Sequence, residues 1–473
     1  MIDTERGNPP TLELAAPGAW AGPSGGRSAQ EAAGARLRVL LLAHAYPPFP
    51  ASGSMRAEKI AQALVARGHH VTVLTAPAVE GERGMRLRTA DLDVRAIRYP
   101  RSPRFLWIRL RTRLGRAGNG EHDLGPAVRG TPPEKRQGRG PRHLGRSLLF
   151  LPDDEQGFGL AAAVHGLALG RHAFDVLYST APPFSSHLAA WVLHRLTGVP
   201  WIAEFRDPWT NNPVNLKPRT EWTDRMERRM EALVVRSADR VVVGTRRLLE
   251  EMAERYGPAS ASRLLLVRNG IDQIAEGATS PRRRPCLLHL GTLYGSRSAQ
   301  ALLEGLGRVV ARETEPSALR VRFVGVGSER HQEDLRQVAR GLGVAGETSF
   351  EPWQAREEAL RTLADADFPI LLALGQPAQV PNKLYEYLGT RKPIIALVDD
   401  EGESARLLRR AGGHILLTED TPEAWATALG AALERARGPE VAVGSPEVLR
   451  LWSTERQFDR LVDAVEGKRV DSE

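Results

Sequence analysis

Short, continuously apolar runs alternate along this chain with stretches whose apolar positions recur every three to four residues. Leu37–Ala43 (LRVLLLA) has the length and composition of a buried parallel strand. A loop with Pro and Gly, YPPFPASGS, follows, and then a helix over about Met55–Arg67. Ile60, Ala61, Leu64 and Val65 form its apolar face, and Gly68 stops it. His70–Ala76 is the next strand, and this β-loop-α-β order requires a parallel sheet. Residues 100–146 break the rhythm. It resumes with strands at Phe174–Ser179, Trp201–Phe205, Arg240–Val243 and Leu264–Val267, between helices at Ser185–Leu196, Glu221–Val235 and Arg246–Arg255.

Asn269-Gly270 is a turn signal, and the polar, aperiodic stretch after it reads as a linker. The plan then repeats, with strands at Cys286–Leu290, Arg320–Val324, Thr348–Phe350, Phe368–Ala373, Pro393–Leu397 and His414–Leu417. The helices between them fall near Ser298–Arg312, Glu329–Gly341, Gln354–Ala364, Asn382–Leu388, Glu403–Arg410 and Pro422–Arg435. A last helix, about Pro446–Val465, lies beyond the second sheet, where it could cross back to the first domain. The expected organisation is a tail over 1–35, an N-terminal domain over 36–270, a linker over 271–285, a C-terminal domain over 286–440 and a closing helical segment over 441–473. The fold class is α/β, two doubly wound Rossmann-like domains facing across a cleft. In such sheets ligands bind at the carboxyl ends of the strands.

Composition narrows the picture. A chain of 473 residues is too long for one ordinary core, and 42% hydrophobic content suffices for two. Residues 1–35 are rich in Ala, Gly, Pro and Ser and lack a basic segment followed by an apolar run, so they read as a disordered tail rather than a signal peptide. No stretch reaches the ~18 apolar residues of a membrane span. The one cysteine, Cys286, has no internal partner for a disulfide, which fits a reducing, cytoplasmic compartment. The net charge of +8 is uneven: Arg101–Arg146 holds 12 basic residues (11 Arg and Lys135) against three acidic ones. That insertion is either a solvated surface segment or one drawn to an anionic membrane at the inner face, or to a phosphate-bearing acceptor. No nucleic-acid-binding module accompanies it, so nucleic acid is not expected as a partner.

The candidate chemistry sits after the strands. In PNKLYEYLGTRKP, Lys383 and Glu386 share one face of a short helix whose start, at Asn382, suits a diphosphate. An unremarkable surface Lys–Glu pair explains the same spacing. HLGTLYGSRS offers a strand, a glycine turn at Gly291 and Arg297 at a helix start, again suited to phosphate, or simply a tight βα turn.

Taken together, these segments resemble the retaining glycosyltransferases of the GT-B fold called family 4, or group 1. RVLLLAHAYPPFPASGSMRAEKIAQALVARGHHVTVLTA is similar to the family's opening strand, glycine loop and helix-strand unit. LLLVRNGID resembles its segment near the hinge, FVGVGSE its glycine strand end, and NKLYEYLGTRKPIIAL its donor-site helix. The likeness spans about residues 36–435. It implies a glycosyltransferase that uses a nucleotide-diphosphate sugar as donor, retains anomeric configuration and needs no cofactor. The acceptor would be a glycan, a lipid-linked molecule or a small molecule. By resemblance, Glu386 would hold the donor ribose, with Lys383 and Asn382 on the same helix. Arg297 and Gly291 would flank the pyrophosphate, and Gly53 would approach donor phosphate and acceptor. Arg206 and Asp207, in EFRDPWTNNP, would face the reacting sugar as the catalytic pair.

Two positions depart from the family's pattern. Ala378 stands eight residues before Glu386, where a first glutamate is usual, and Thr292 stands where a basic residue often follows the glycine. Asp207-Pro208 could instead serve a turn, Arg206 could pair with Glu204, and Phe205 and Trp209 could be core rather than a sugar platform. His44 and Arg56 complete the acceptor-side expectation; a hydrogen-bonded loop histidine is equally consistent. No cluster of His, Cys or Asp suggests a metal, and Asp153-Asp154 lies in a loop after Pro152. Rival functions are a nucleotide-sugar epimerase of the same fold and a catalytically silent partner in polysaccharide assembly. A dinucleotide oxidoreductase is disfavoured, because no GxGxxG follows the first strand.

Overall fold

The computed structural model describes residues 36–49, 52–77, 86–100, 151–210, 212, 220–275, 284–293, 298–312, 319–438 and 442–470. The tail 1–35, the Arg-rich insertion 101–146, most of the linker stretch and Arg297 lie outside the described residues.

Among the described residues the first sheet has eight strands: β1 (Arg38–Leu42), β2 (His70–Thr75), β3 (Arg86–Arg88), β4 (Leu92–Ala96), β5 (Val176–Ala181), β6 (Trp201–Phe205), β7 (Arg240–Val243) and β8 (Leu264–Leu266). Their order is β3-β4-β2-β1-β5-β6-β7-β8, parallel except for β3, which runs antiparallel to β4. The helices of this half are α1 (Ser52–Ala66), α2 (Gln156–Leu169), α3 (Ser185–Thr197), α4 (Glu221–Ser237), α5 (Arg246–Tyr256) and the single turn α6 (Pro258–Ala261). Strands β1, β5, β6, β7 and β8 hide nearly every side chain, which is why they read as unbroken apolar runs: helices cover both faces of the sheet.

The second sheet has, among the described residues, six parallel strands in the order β11-β10-β9-β12-β13-β14. They are β9 (Cys286–Leu290), β10 (Arg320–Val324), β11 (Thr348–Glu351), β12 (Phe368–Ala373), β13 (Ile395–Val398) and β14 (Ile415–Leu417). Helices α7 (Gln300–Val310), α8 (Glu329–Gly341), α9 (Arg356–Asp365), α10 (Asn382–Gly389), α11 (Glu403–Ala411) and α12 (Pro422–Arg437) pack around it. Each sheet reverses its winding once. In the first sheet β1 lies between β2 and β5; in the second, β9 lies between β10 and β12. A crevice opens at each reversal, beyond the carboxyl ends of the strands.

Helix α2 and the β3–β4 edge carry no clear sequence signal. In QGFGLAAAVHGLAL the apolar residues go all the way round, and three glycines lower helix propensity. All three answer to packing: a Cβ on Gly157 would lie 1.8 Å from the Pro100 carbonyl oxygen. A Cβ on Gly159 would lie 2.7 Å from the Ser185 carbonyl oxygen, and one on Gly166 would lie 2.6 Å from Leu193. Helices α2 and α3 therefore lie in close contact. The expected last helix is two, α13 (Pro446–Leu451) and α14 (Thr454–Val465), with Ser453 capping the second. Between them, Ile271 pairs with the Trp452 carbonyl and Thr454 N–H. Helix α14 returns to the first domain, where Phe458, Leu461, Val462 and Val465 join Leu41, Ile60 and Leu64 in one core.

Candidate active site

The two crevices face each other and merge into one cleft of about 870 Å³. Of the residues singled out by sequence, His44, Gly53, Arg56, Arg206, Asp207, Gly291, Asn382 and Lys383 line it. Glu386 sits one helical turn further along α10, and Arg297 is outside the described residues.

On the C-terminal side, Gly291 ends β9 in a left-handed conformation (φ 97°), a turn that favours glycine. The Lys383 ammonium donates to the Leu290 carbonyl at 2.8 Å, and a Cβ on Gly291 would lie 3.6 Å from Nζ. Strand end, lysine and the start of α10 thus converge on one corner. This corner has the chemistry to receive a diphosphate: a cation and helix N–H groups beside bare backbone. Thr292 lines the same corner. Glu386 accepts from Arg356 at 2.6 Å, and Arg356 also reaches Asp272 at 3.0 Å. Asp272 pairs in turn with Lys59 of α1, so a chain of charges joins α10 to the N-terminal domain. Burial pushes the Asp272 pKa up, but bonds from Lys59 and Thr454 leave it below the usual range.

On the N-terminal side, Arg206 and Asp207 follow β6. Arg206 donates from Nε to the Ala181 carbonyl at 3.2 Å and from Nη2 to the Pro182 carbonyl. Its Nη1 lies against Gly53: a Cβ there would sit 1.8 Å from it. Glycine at the start of α1 is what leaves room for the guanidinium. Burial lowers the Arg206 pKa while Asp207 and Glu204 raise it, and the net shift is downward. Asp207 Oδ1 accepts from Gln379 Nε2 at 2.8 Å, a contact between the two domains.

Arg56 borders the cleft but has no donor left for a ligand. Nε and Nη2 donate to Glu204 Oε1 at 3.0 and 2.8 Å, Nη2 also to Val267 O at 2.8 Å, and Nη1 to Arg268 O and Asn269 Oδ1 at 2.9 Å each. These five bonds use all five guanidinium N–H groups. Glu204, fully buried, also accepts from Tyr178 at 2.9 Å and Thr180 at 2.6 Å. Burial pushes the Glu204 pKa up, yet Arg56 beside it and the hydrogen bonds from Arg56 and Thr180 hold it below the ordinary carboxylate value. The ion-pair partner of Glu204 is therefore Arg56, not Arg206.

His44 Nε2 lies 3.1 Å from the Tyr99 hydroxyl and 3.3 Å from Glu155, with its ring edge-on to Phe158. Phe205 and Trp209 are core: both are fully buried, and Trp209 stacks on Phe184 at 4.6 Å. They offer no sugar platform. Asp153 has a local task, accepting from the N–H groups of Glu155 and Ser185 at 2.8 and 2.7 Å. Among the described residues no group of three or more His, Cys, Asp or Glu could hold a metal ion. Gln376, Gln379 and Val380 also line the cleft. They lie in an aperiodic loop between β12 and α10, where no motif marked them.

Residues 53–270 match the family described as a glycosyl transferase 4-like domain. Both domains together are similar in fold to solved GT-B glycosyltransferases. The α,α-trehalose-phosphate synthase of Burkholderia xenovorans, solved with glucose-6-phosphate, superposes with a TM-score of 0.58 at 11% identity, over 91% of this chain and 100% of that one. Sucrose-phosphate synthase of Thermosynechococcus elongatus gives 0.55 at 14%, over 91% and 96%. Alr3699/HepE of Anabaena, solved with UDP and glucose, gives 0.52 at 13%, over 91% and 99%. No curated protein matches the sequence. The fold is GT-B.

Proposed function

From a GT-B fold whose first domain is glycosyl transferase 4-like, we propose that this protein moves a sugar from a nucleoside-diphosphate sugar to an acceptor hydroxyl. The observation that carries the reading is the pairing of unlike walls across one cleft. Lys383, Asn382 and Gly291 form a cationic, backbone-rich corner on one side; Arg206 and Asp207 stand opposite. The donor diphosphate lies at the start of α10 against Lys383. The bond between its oxygen and the anomeric carbon breaks, the acceptor hydroxyl oxygen bonds to that carbon, its proton passes to the departing diphosphate oxygen, and the nucleoside diphosphate leaves. Lys383 and the helix start take up the charge that grows on the leaving group, so the step runs without a metal. Asp207 meets the sugar and Arg206 fixes the loop that carries it. Glu386 receives the ribose by exchanging its bond to Arg356 for the hydroxyls. Transfer retains anomeric configuration, as the family resemblance implies.

The acceptor enters along the N-terminal domain, past His44 and Gly53. Leu160, Val164 and Leu167 stand at i, i+4 and i+7 on α2 and are 63%, 56% and 40% exposed. No acidic residue lies between Gln156 and His172. With the basic sequence of 101–146, this face supports peripheral contact with an anionic membrane and a lipid-linked acceptor.

Calorimetry with UDP, GDP and ADP tests the donor side. One of these should bind the wild-type protein, and Lys383→Ala should weaken that binding roughly 10- to 100-fold, the worth of one charge-assisted contact. Unchanged affinity removes Lys383 from the site. Addition of EDTA should leave turnover intact.

A further inference from the structure

Gln379 belongs to the C-terminal domain, yet its amide nitrogen touches Asp207 of the other domain at 2.8 Å. A carboxylate only accepts, so the nitrogen faces Asp207 and Oε1 turns away. That oxygen is buried and has no hydrogen-bond partner among the described residues. A glutamine kept for stability alone would have both ends satisfied. This one spends its N–H on a carboxylate of the opposite domain rather than on its own.

The loop behind Gln379 is built to hold it there. Asp399 accepts from the N–H groups of Gly375 and Gln376 at 3.0 and 2.7 Å. The Pro377 carbonyl accepts from Glu403 N–H at 2.8 Å, and Gln379 N–H donates to Gln376 O at 3.1 Å. The Ala378 carbonyl accepts from Thr245 of the N-terminal domain at 2.8 Å. Glu403, fully buried, takes Arg268 at 2.6 Å and the N–H groups of Arg246 and Arg247 at 3.1 Å each. The loop is thus tied to the first domain directly through Ala378 and indirectly through Glu403, both bonds falling just ahead of Gln379.

We infer that Gln379 is a positioning residue: from the C-terminal domain it orients the Asp207 carboxylate across the cleft, so that the reaction centre is complete only when the domains are docked. The inference rests on Asp207 meeting the sugar, as proposed above. Ala378 beside it is buried, and its carbonyl is committed to Thr245.

The test uses the full-length protein and the release of nucleoside diphosphate from whichever of UDP-glucose, UDP-galactose, GDP-mannose and ADP-glucose it consumes. Q379L keeps the volume and removes both polar groups. Its kcat should fall roughly tenfold, the loss of one hydrogen bond to a charged group, with donor KM within about twofold. Its Tm should stay within about 2 °C of wild type, since the lone acceptor goes with the bond. Q379K, whose ammonium donates to the carboxylate, should recover part of kcat. In a D207A background, Q379L should cost nothing further, which a purely structural residue would not show. A wild-type kcat in Q379L beside a slow D207A overturns the inference and leaves the transferase reading standing. A wild-type rate in D207A removes Asp207 from the centre and this inference with it.

Discussion

Arg56→Met separates the acceptor-side role that the sequence suggested from the strut that the structure shows. Arg56 is 5% exposed and Glu204 is fully buried, with 2.8 Å between their closest charged atoms. Methionine keeps much of the volume but leaves the Glu204 carboxylate without its cation, and frees the Val267 and Arg268 carbonyls and the Asn269 amide oxygen. Breaking a buried ion pair from one side costs roughly 3–5 kcal/mol, against a typical domain stability of about 5–15 kcal/mol. Urea unfolding followed by tryptophan fluorescence should report this loss, since Trp201 and Trp209 lie in the same domain. Adding Glu204→Gln should recover part of it, because the uncompensated charge goes while Tyr178 and Thr180 keep an acceptor. Binding of the nucleoside diphosphate should survive. A loss under about 1 kcal/mol would refute the reasoning. Preserved stability with lost acceptor-dependent turnover would return Arg56 to the acceptor wall.

Gly53→Ala should displace the Arg206 guanidinium, because the new Cβ falls 1.8 Å from Nη1. A shift of this size at a reaction centre costs up to about 100-fold in kcat, and wild-type kcat would show that the guanidinium has room to move. Burial holds the His187 pKa down to about 3 and that of His414 down to about 4, so both are neutral in the native protein at neutral pH. Each contributes stability that is fully present above the unfolded histidine value of about 6.5 and is lost as pH falls below it, at roughly 2 kcal/mol per group by pH 5. Urea midpoints between pH 7.5 and 5 should fall accordingly, and His187→Gln should flatten the slope by one proton; an unaltered slope would exclude His187 as its source. Sedimentation with phosphatidylglycerol-containing vesicles should carry the protein down at low salt and release it at high salt. Leu160→Ser with Val164→Ser should weaken the association, and equal binding by that variant would dismiss the α2 face.

The strands of both sheets were legible because a strand covered on two faces must be apolar throughout, as in RVLLL and FPILLA, and because loops bearing Gly or Pro punctuate them. Helix α2 was not, since a helix buried against a neighbour through glycines shows neither a stripe nor good propensity. Candidate polar residues were legible to the extent that they follow strands: Arg206-Asp207 after β6, Gly291 after β9, and Asn382-Lys383 after β12. Gln379 was illegible because nothing local distinguishes a glutamine that spans two domains from one in an ordinary loop.

Local pattern alone therefore determined two parallel α/β units, the ends at which ligands gather and the residue types available there. Only the tertiary structure decided how each side chain is used. Arg56 and Arg206 both line the cleft, yet one makes five bonds to four acceptors from two segments distant in sequence and is consumed, while the other lies against a glycine. Hydrogen-bond capacity is finite, and which partners consume it depends on distances that the order of residues along a chain does not contain.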